Sequence, residues 1–476
     1  AIERMMLQLK SFGYNCIRCS HNPYSDSFAR IADRVGMLVV DELTDKWSDN
    51  DYWGGRQPFT HIWHKLITEW IKRDRNRPSI ILWSLGNELQ IREGWAGFEG
   101  TNDWGITTYN IFNQLVKRWD NTRLTTVAMF PARAGAITRH DKEFNDYLVP
   151  PELACATEVA SFNYQSDKYD AYLKYKPDLI LFQSEAETSN LLQPYYNMDR
   201  KRTVGMAYWG SAEYWGESNK WPKKGWNYSF FDHTMRPYPQ AYLIKSAFMP
   251  EIPEVHIGVV DAAGAESVSW NDVIVGRMAL NECWNHTPGS RQSLFTFTNA
   301  HSVELLVNGQ SMGVQENDTT QANLRNMIYW KDVPYGNGGS VVAIARDKSG
   351  KEVARHHIET AGKAVALRIE AETPADWKAD GMDLQYINVT AIDKKGRPVW
   401  DYNKPLTLQM EGAAWLVALD NGDHYTDELF HGITSKRMYQ GRMQIILRST
   451  KTPSNVKLEI SSADLKEKLS LKTSLK

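Results

Sequence analysis

SIILWSLGNELQ, residues Ser79 to Gln90, is an apolar run that ends in an amide and a carboxylate. Ile80, Ile81, Leu82 and Trp83 read as a strand buried on both faces, which is the pattern of a parallel sheet. Packing gives no reason for Asn87 and Glu88 to follow. A strand that carries them to its C-terminal end does, because α/β folds assemble their sites there.

The same arrangement recurs on either side. YNCIRCS from Tyr14, MLVVDE from Met37, RLTTVAM from Arg123, VASFNY from Val159, LILFQSE from Leu179 and VGMAYW from Val204 read as further strands, seven in all. Between several of them the apolar spacing is helical. AIERMMLQLKSFG places Ile2, Met5, Met6 and Leu9 on one face before Gly13. SDSFARIADRVG has a Ser or Asp cap and a Gly stop. THIWHKLITEWIKRDRN aligns Ile62, Trp63, Leu66, Ile67 and Trp70, and TNDWGITTYNIFNQLVKRWD follows. Strands alternating with helices predict a parallel sheet, either open and doubly wound or closed as a (β/α)8 barrel. Two features favour the barrel. No glycine-rich phosphate loop follows any strand. Polar residues recur at the strand ends: Arg18, Asp41, Glu42, Asn87, Glu88, Asn163, Tyr164, Glu185 and Trp209. In a barrel these ends converge on one mouth. A barrel built this way lacks its first strand, which is expected before Ala1.

After about residue 250 helical periodicity fades. SVELLVNGQSMGV from Ser302 reads as a hairpin turning at Asn308-Gly309. VVAIARDKSGKEVA from Val341 and INVTAIDKKGRPVW from Ile387 repeat one pattern: strand, Asp-Lys-x-Gly, strand. Two β-sandwiches of about 100 residues each fit this texture. The expected organisation is a barrel over 1–250 and sandwiches over 251–362 and 363–476.

The 476 residues are 42% hydrophobic and 24% charged, with a formal net charge of -2, so the composition is globular and offers no basic surplus for nucleic acid. No apolar stretch reaches the roughly 18 residues of a membrane helix. Cys16 and Cys19 share a C-x-x-C spacing but fall on a predicted strand with their side chains on opposite faces, so they read as core thiols. The chain holds 18 Trp and 22 Tyr, whose rings pack on the C–H faces of sugars as well as in large cores. It opens inside a helix with neither initiator Met nor signal peptide.

Glu88 and Glu185 close two different strands. Cleaving a glycosidic bond needs two carboxyl groups with opposed tasks, one holding a proton for the leaving oxygen and one ionised. Strand ends facing across a barrel mouth supply such a pair.

The residues carry a resemblance. NCIRCSHNP, RVGMLVVDE, RDRNRPSIILWSLGNE and MAYWGSAEYWGES resemble glycoside hydrolase family 2, most closely its β-galactosidases, densely over residues 5–248. FTNAHSVELLVNGQSMG, ADGMDLQYINVTAIDKKGRPV and ALDNGD are similar to the immunoglobulin-like domains appended to some members. The resemblance implies the C-terminal part of a longer enzyme whose N-terminal domains are its missing partners, so this fragment alone is expected to turn over little substrate. It implies a retaining exo-β-glycosidase acting on terminal β-D-galactosides, with Glu88 as acid/base and Glu185 as nucleophile; Glu187 is the rival. Asn87 would bond the sugar 2-hydroxyl, and Arg18 would pair with the nucleophile. His21 and Asn22 would line the subsite, Asn163 and Tyr164 would stand beside the nucleophile, and Trp209 would floor the sugar site or fill the barrel. Asp41 and Glu42 match an Asp-Glu pair that either touches substrate or bridges the mouth. The role of Glu217 is open.

There are departures. DELTDKWSD lacks the His that accompanies a magnesium in some members and resembles a branch with Asp45 and Trp47, so no cofactor is required; a structural or activating divalent cation stays open but is not supported by the motif. Asn219 and Lys220 are adjacent, which breaks the Asn-x-Lys motif of the glucuronidase branch and favours galactosides; mannosides and other β-glycosides stay open. A non-catalytic carbohydrate-binding scaffold is the competing class. A metal-dependent hydrolase would need several His at strand ends, and only His21 is near one.

Overall fold

The computed structural model describes residues 1–47, 58–89, 105–130, 150–188, 192–218, 220–261, 266–270 and 273–475. They form two compact units. The first holds Ala1–Trp209 with the segments Glu266–Arg277 and Thr320–Arg325; the second holds Gly210–Ala265, Met278–Thr319 and Asn326–Lys476.

In the first unit seven strands make one parallel sheet: β1 (Cys16–Arg18), β2 (Leu38–Glu42), β3 (Ile80–Ser84), β4 (Leu124–Met129), β5 (Val159–Asn163), β6 (Leu181–Ala186) and β7 (Thr203–Tyr208). Each strand pairs with its neighbour in sequence, and the spatial order never reverses. A doubly wound sheet requires such a reversal. The sheet instead curls until β1 and β7 touch, as a barrel does.

Local chemistry sets the helices between the strands. Helix α1 (Ile2–Ser11) precedes β1, and α2 (Asp26–Val35) follows it. The Ser25 side chain accepts the Phe28 N–H at 3.2 Å and caps α2, a contact worth about 1 kcal/mol. Helix α3 (Phe59–Asp74) buries Phe59, Ile67, Trp70 and Ile71; α4 (Ile106–Trp119) buries Tyr109, Phe112 and Val116.

Strand parity then sorts the interior into layers. Val40, Leu82, Val159 and Phe182, with Cys16 and Ala207 against them, form an apolar layer. Two residues further along the same strands stand Arg18, Glu42, Ser84, Ser161, Ser184 and Trp209. The interior therefore turns from apolar to polar toward the C-terminal ends of the strands. Cys19, of opposite parity to Cys16, is buried, and both are free thiols.

The second unit contains two β-sandwiches. In the first, strands Leu280–Asn281, Val255–Val260, Arg291–Thr298 and Met327–Pro334 form one antiparallel sheet. Gln310–Glu316, Ser302–Val307, Ser340–Arg346 and Glu352–Glu359 form the other. Their shared core includes Ile257, Leu294, Leu305, Trp330 and Ala343. The hairpin turn falls at Asn308-Gly309, with φ of 51° and 80°, the left-handed pair that a two-residue turn demands. In the second sandwich Ala366–Ala371, Leu384–Ile392, Arg442–Ser449 and Ala414–Asp420 face Ser435–Arg437, Pro405–Glu411, Asn455–Ser462 and Leu465–Lys472. Ile387, Leu406, Ile445 and Ile460 fill that core. The repeated Asp-Lys-x-Gly is one turn used twice. Asp347 Oδ1 accepts the Ser349 and Lys351 N–H groups, and Asp393 Oδ1 accepts those of Lys395 and Arg397.

Candidate active site

Arg18 ends β1 with its guanidinium inside the barrel, where it is 9% exposed. Its Nη1 donates to Glu185 Oε1 at 2.8 Å. Its Nε and Nη2 donate to the Glu42 carboxylate at 2.8 to 3.0 Å, and Nη2 donates to Asn87 Oδ1 at 2.8 Å. One cation thus joins the ends of β1, β2 and β6 and the segment after β3. His21 adds to it, with Nδ1 2.6 Å from Glu42 Oε1 and Nε2 3.8 Å from Glu185 Oε1. Asn163 donates to Asn87 Oδ1 at 3.1 Å and accepts from Ser184 Oγ at 2.8 Å. The Trp209 indole lies flat on the His21 ring, with centroids 5.2 Å apart and planes 4° from parallel.

Strand β3 stops at Ser84, four residues short of Glu88. Beyond it the chain runs along β4: the Leu85 N–H donates to Thr126 O, and Leu89 bridges to Met129. Gly86 is required on this path, because a Cβ there would lie 2.8 Å from the Trp47 indole nitrogen. That indole donates to Leu85 O at 2.8 Å. Asn87 is fixed by Asp45, whose Oδ1 accepts from Asn87 Nδ2 at 3.0 Å. Glu88 sits at φ 47° and Tyr164 at φ 59°, left-handed backbone that costs a residue with a side chain about 1 kcal/mol. Such backbone concentrates at functional sites.

The electrostatics follow from this geometry. Burial pushes Glu185 up from the ordinary glutamate range; Arg18 and His21 oppose that, Glu88 adds to it by like-charge repulsion, and Tyr164 favours the ionised form. Glu88 and Glu185 are both buried. Burial would also raise Glu42, but Arg18, His21 and the Ser84 hydroxyl outweigh it and hold its carboxylate ionised. Arg18, disfavoured by burial, is held charged by Glu42 and Glu185.

The structure brings together Arg18, His21, Asn87, Glu88, Asn163, Tyr164, Glu185 and Trp209. Two residues given a substrate-site role in the sequence reading, Asn22 and Asp41, fall outside the cluster. Asn22, one residue beyond His21, is exposed. Asp41 points away from the mouth: neighbours on a strand face opposite sides, and Glu42 takes the inside. Asp41 Oδ2 instead accepts the Trp70 indole N–H of α3 at 2.7 Å. Burial, together with the charge of Asp74, pushes Asp41 up to about 8. Glu217 is exposed, lies in the second unit and accepts from Tyr214. Asn219 lies outside the described residues. Glu187 is buried and borders a cavity of about 570 Å³ with Tyr164, Gln183, Asp167 and Asp199. Glu42, Ser84, Asp45 and Ser184 complete the network. Parity relative to Arg18 was the signal that could have ranked Glu42 above Asp41.

Residues 2–203 match the family model described as "Glycosyl hydrolases family 2, TIM barrel domain", and residues 367–469 match "Glycoside hydrolase family 2 C-terminal domain 5". The chain belongs to glycoside hydrolase family 2. A "Domain of unknown function (DUF4982)" model matches residues 289–354 between them. Among relatives of this family 2 chain, beta-galactosidase BoGH2A of Bacteroides ovatus is 26% identical over 518 residues, covering 98% of the chain and 58% of the relative. A putative beta-glucuronidase of Formosa agariphila is 49% identical over 83 residues, 17% of the chain and 8% of that protein. The crystal structure of a family 2 member from Bacteroides cellulosilyticus DSM 14838 superposes with a TM-score of 0.81 at 27% identity, covering 99% of the chain and 58% of that protein. The chain thus spans a little over half the length of the proteins it matches along its whole extent.

Proposed function

We propose that this family 2 chain carries the catalytic centre of a retaining β-glycosidase for terminal β-D-galactosides, with Glu185 as nucleophile and Glu88 as acid/base. The observation that carries the reading is the Arg18 bridge, which fixes Glu185 against Glu42 and against Asn87, the residue that precedes Glu88.

In the first step a Glu185 carboxylate oxygen attacks the anomeric carbon as the bond to the leaving oxygen breaks. Glu88 gives that oxygen its proton. In the second step Glu88 takes a proton from water, water oxygen bonds to the anomeric carbon, and the ester to Glu185 breaks. Arg18 aims one Glu185 oxygen and leaves the other for attack. Asn87, held by Arg18, Asp45 and Asn163, is placed beside Glu88 to bond the sugar 2-hydroxyl, a contact that tightens as the ring approaches an oxocarbenium ion. The stacked His21 and Trp209 rings offer an aromatic face for the sugar. Glu187, outside the Arg18 network, is not the nucleophile in this reading.

A panel of aryl β-glycosides tests it, with Glu185→Gln and Glu88→Gln as controls. Galactoside turnover above all others is expected of the full-length protein. Glu185→Gln should abolish it, while Glu88→Gln should spare substrates whose leaving group departs without a proton. Wild-type rates in Glu185→Gln would sink the assignment. The identity to the Formosa agariphila protein favours a β-glucuronide as second reading, and a panel led by the glucuronide would select it.

A further inference from the structure

The second unit holds a cluster of metal-ligand type that the proposed chemistry does not use. Glu213, His233 and His424 each place one donor atom within 4.8 Å of the other two. Glu213 and His424 are buried, and the His233 side chain is 7% exposed.

The distances are those of long hydrogen bonds and also suit a shared centre. Glu213 Oε2 lies 3.2 Å from His233 Nδ1 and 3.2 Å from His424 Nδ1. A charge-assisted hydrogen bond is shorter, about 2.7–2.9 Å. The outer contacts of the same residues keep such lengths: His233 Nε2 to Asp420 Oδ1 is 2.9 Å, and Tyr238 donates to Glu213 Oε1 at 2.7 Å. Ligands bound to Zn²⁺ at roughly 2.0–2.1 Å in a tetrahedron stand about 3.3 Å apart. Glu213 Oε2 stands at that spacing from both imidazole nitrogens, and all three donor atoms lie within 4.8 Å of one another.

The surroundings match a metal centre as well. Asp420 behind His233 and Tyr238 behind Glu213 are the partners that orient metal ligands. The loops are held independently: Glu213 N–H donates to Phe231 O, Asp232 Oδ1 accepts from Thr234 and Arg236 N–H, and Asp420 Oδ1 accepts from Gly422 N–H. Among the described residues one other group of this kind, His256, Glu282 and His356, fails the same reading. His356 Nδ1 accepts the Ile257 N–H, and its ring stacks on His256 at 3.9 Å, leaving no centre between them.

We propose that Glu213, His233 and His424 bind a divalent transition-metal ion, Zn²⁺ by donor type, as a clip between the segment that follows the barrel strands and the loop after Ala414–Asp420. Two imidazoles and one carboxylate suit zinc, with a fourth position left for water. The ligands are up to 211 residues apart in sequence. A tie across so long a loop removes chain entropy from the unfolded state, so the role is stability.

Purified chain is loaded with Zn²⁺, desalted and assayed for metal. One retained equivalent is expected, with a raised melting temperature. Co²⁺ loading should give the visible absorption of a tetrahedral N/O site, a readout needing no variant. His424→Ala should weaken Zn²⁺ more than 100-fold, and Asp420→Asn, which leaves all three ligands, by about 10–100-fold. No retained metal and no Zn²⁺-dependent melting shift would mean an ion-pair cluster only, and would overturn the proposal. Equal retention by wild type and His424→Ala would overturn it too.

Discussion

The barrel mouth and the Glu213 cluster use similar parts to opposite ends. Each gathers buried carboxylates and histidine. At the mouth the Arg18 guanidinium occupies the middle, with donor–acceptor distances of 2.8 to 3.0 Å to Glu42 and Glu185. Around Glu213 two imidazoles take that place, each with a ring nitrogen 3.2 Å from Glu213 Oε2. A covalently attached cation is always present, always charged and holds one geometry. A pair of imidazoles can instead exchange protons for a metal ion. The first arrangement suits a nucleophile that must be aimed on every turnover, the second a tie that needs to be made once.

The contrast can be broken at several points. Glu185→Gln has the largest expected effect, a loss of at least about 10⁴-fold in kcat on aryl glycosides, with Zn²⁺ retention unchanged. Loss of both together would show that the two clusters are not independent. Arg18→Met comes next. It strands Glu42 and Glu185 as buried, unbalanced charges, a class of change that costs about 3–5 kcal/mol, measurable by urea unfolding. It should also move the acidic limb of kcat/KM upward, since Glu185 then needs a higher pH to ionise. Gly86→Ala forces a methyl against the Trp47 indole and should cost about 1–3 kcal/mol, with a drop in kcat from a displaced Asn87 and Glu88. A pH-dependent effect belongs to Asp41, a buried carboxyl outside the Arg18 network that accepts the Trp70 indole N–H. Held up at about 8 in the fold, it keeps a proton that the unfolded chain releases near pH 4. Its contribution to stability therefore declines as pH rises between those values. Asp41→Asn should flatten that slope in melting temperatures taken from pH 5 to 8.

The architecture was legible because it rests on periodicity. Seven apolar runs separated by helical spacing leave few topologies, and the absence of a phosphate loop pointed to the barrel that the unreversed strand order displays. The candidate site was legible where strand ends carried unusual residues, as at Arg18, Asn87 and Glu185. It failed at Asp41, where two adjacent acids were credited together although a strand can send only one of them inward. Ser84 and Ser184 escaped because serines in strands are common; only their register against Glu42 and Asn163 marks them. Glu185 itself relies on irregular pairing of β6 with β5 and β7, which no pattern of residue types announces.

The left-handed backbone at Glu88 and Tyr164 bears on evolution in the laboratory. Glycine or asparagine at either position would relax the main chain while deleting a side chain the chemistry calls for. A library selected for heat resistance alone should accumulate those replacements and drift toward a sturdier, inert barrel. Selection for turnover has to keep tolerating the tension.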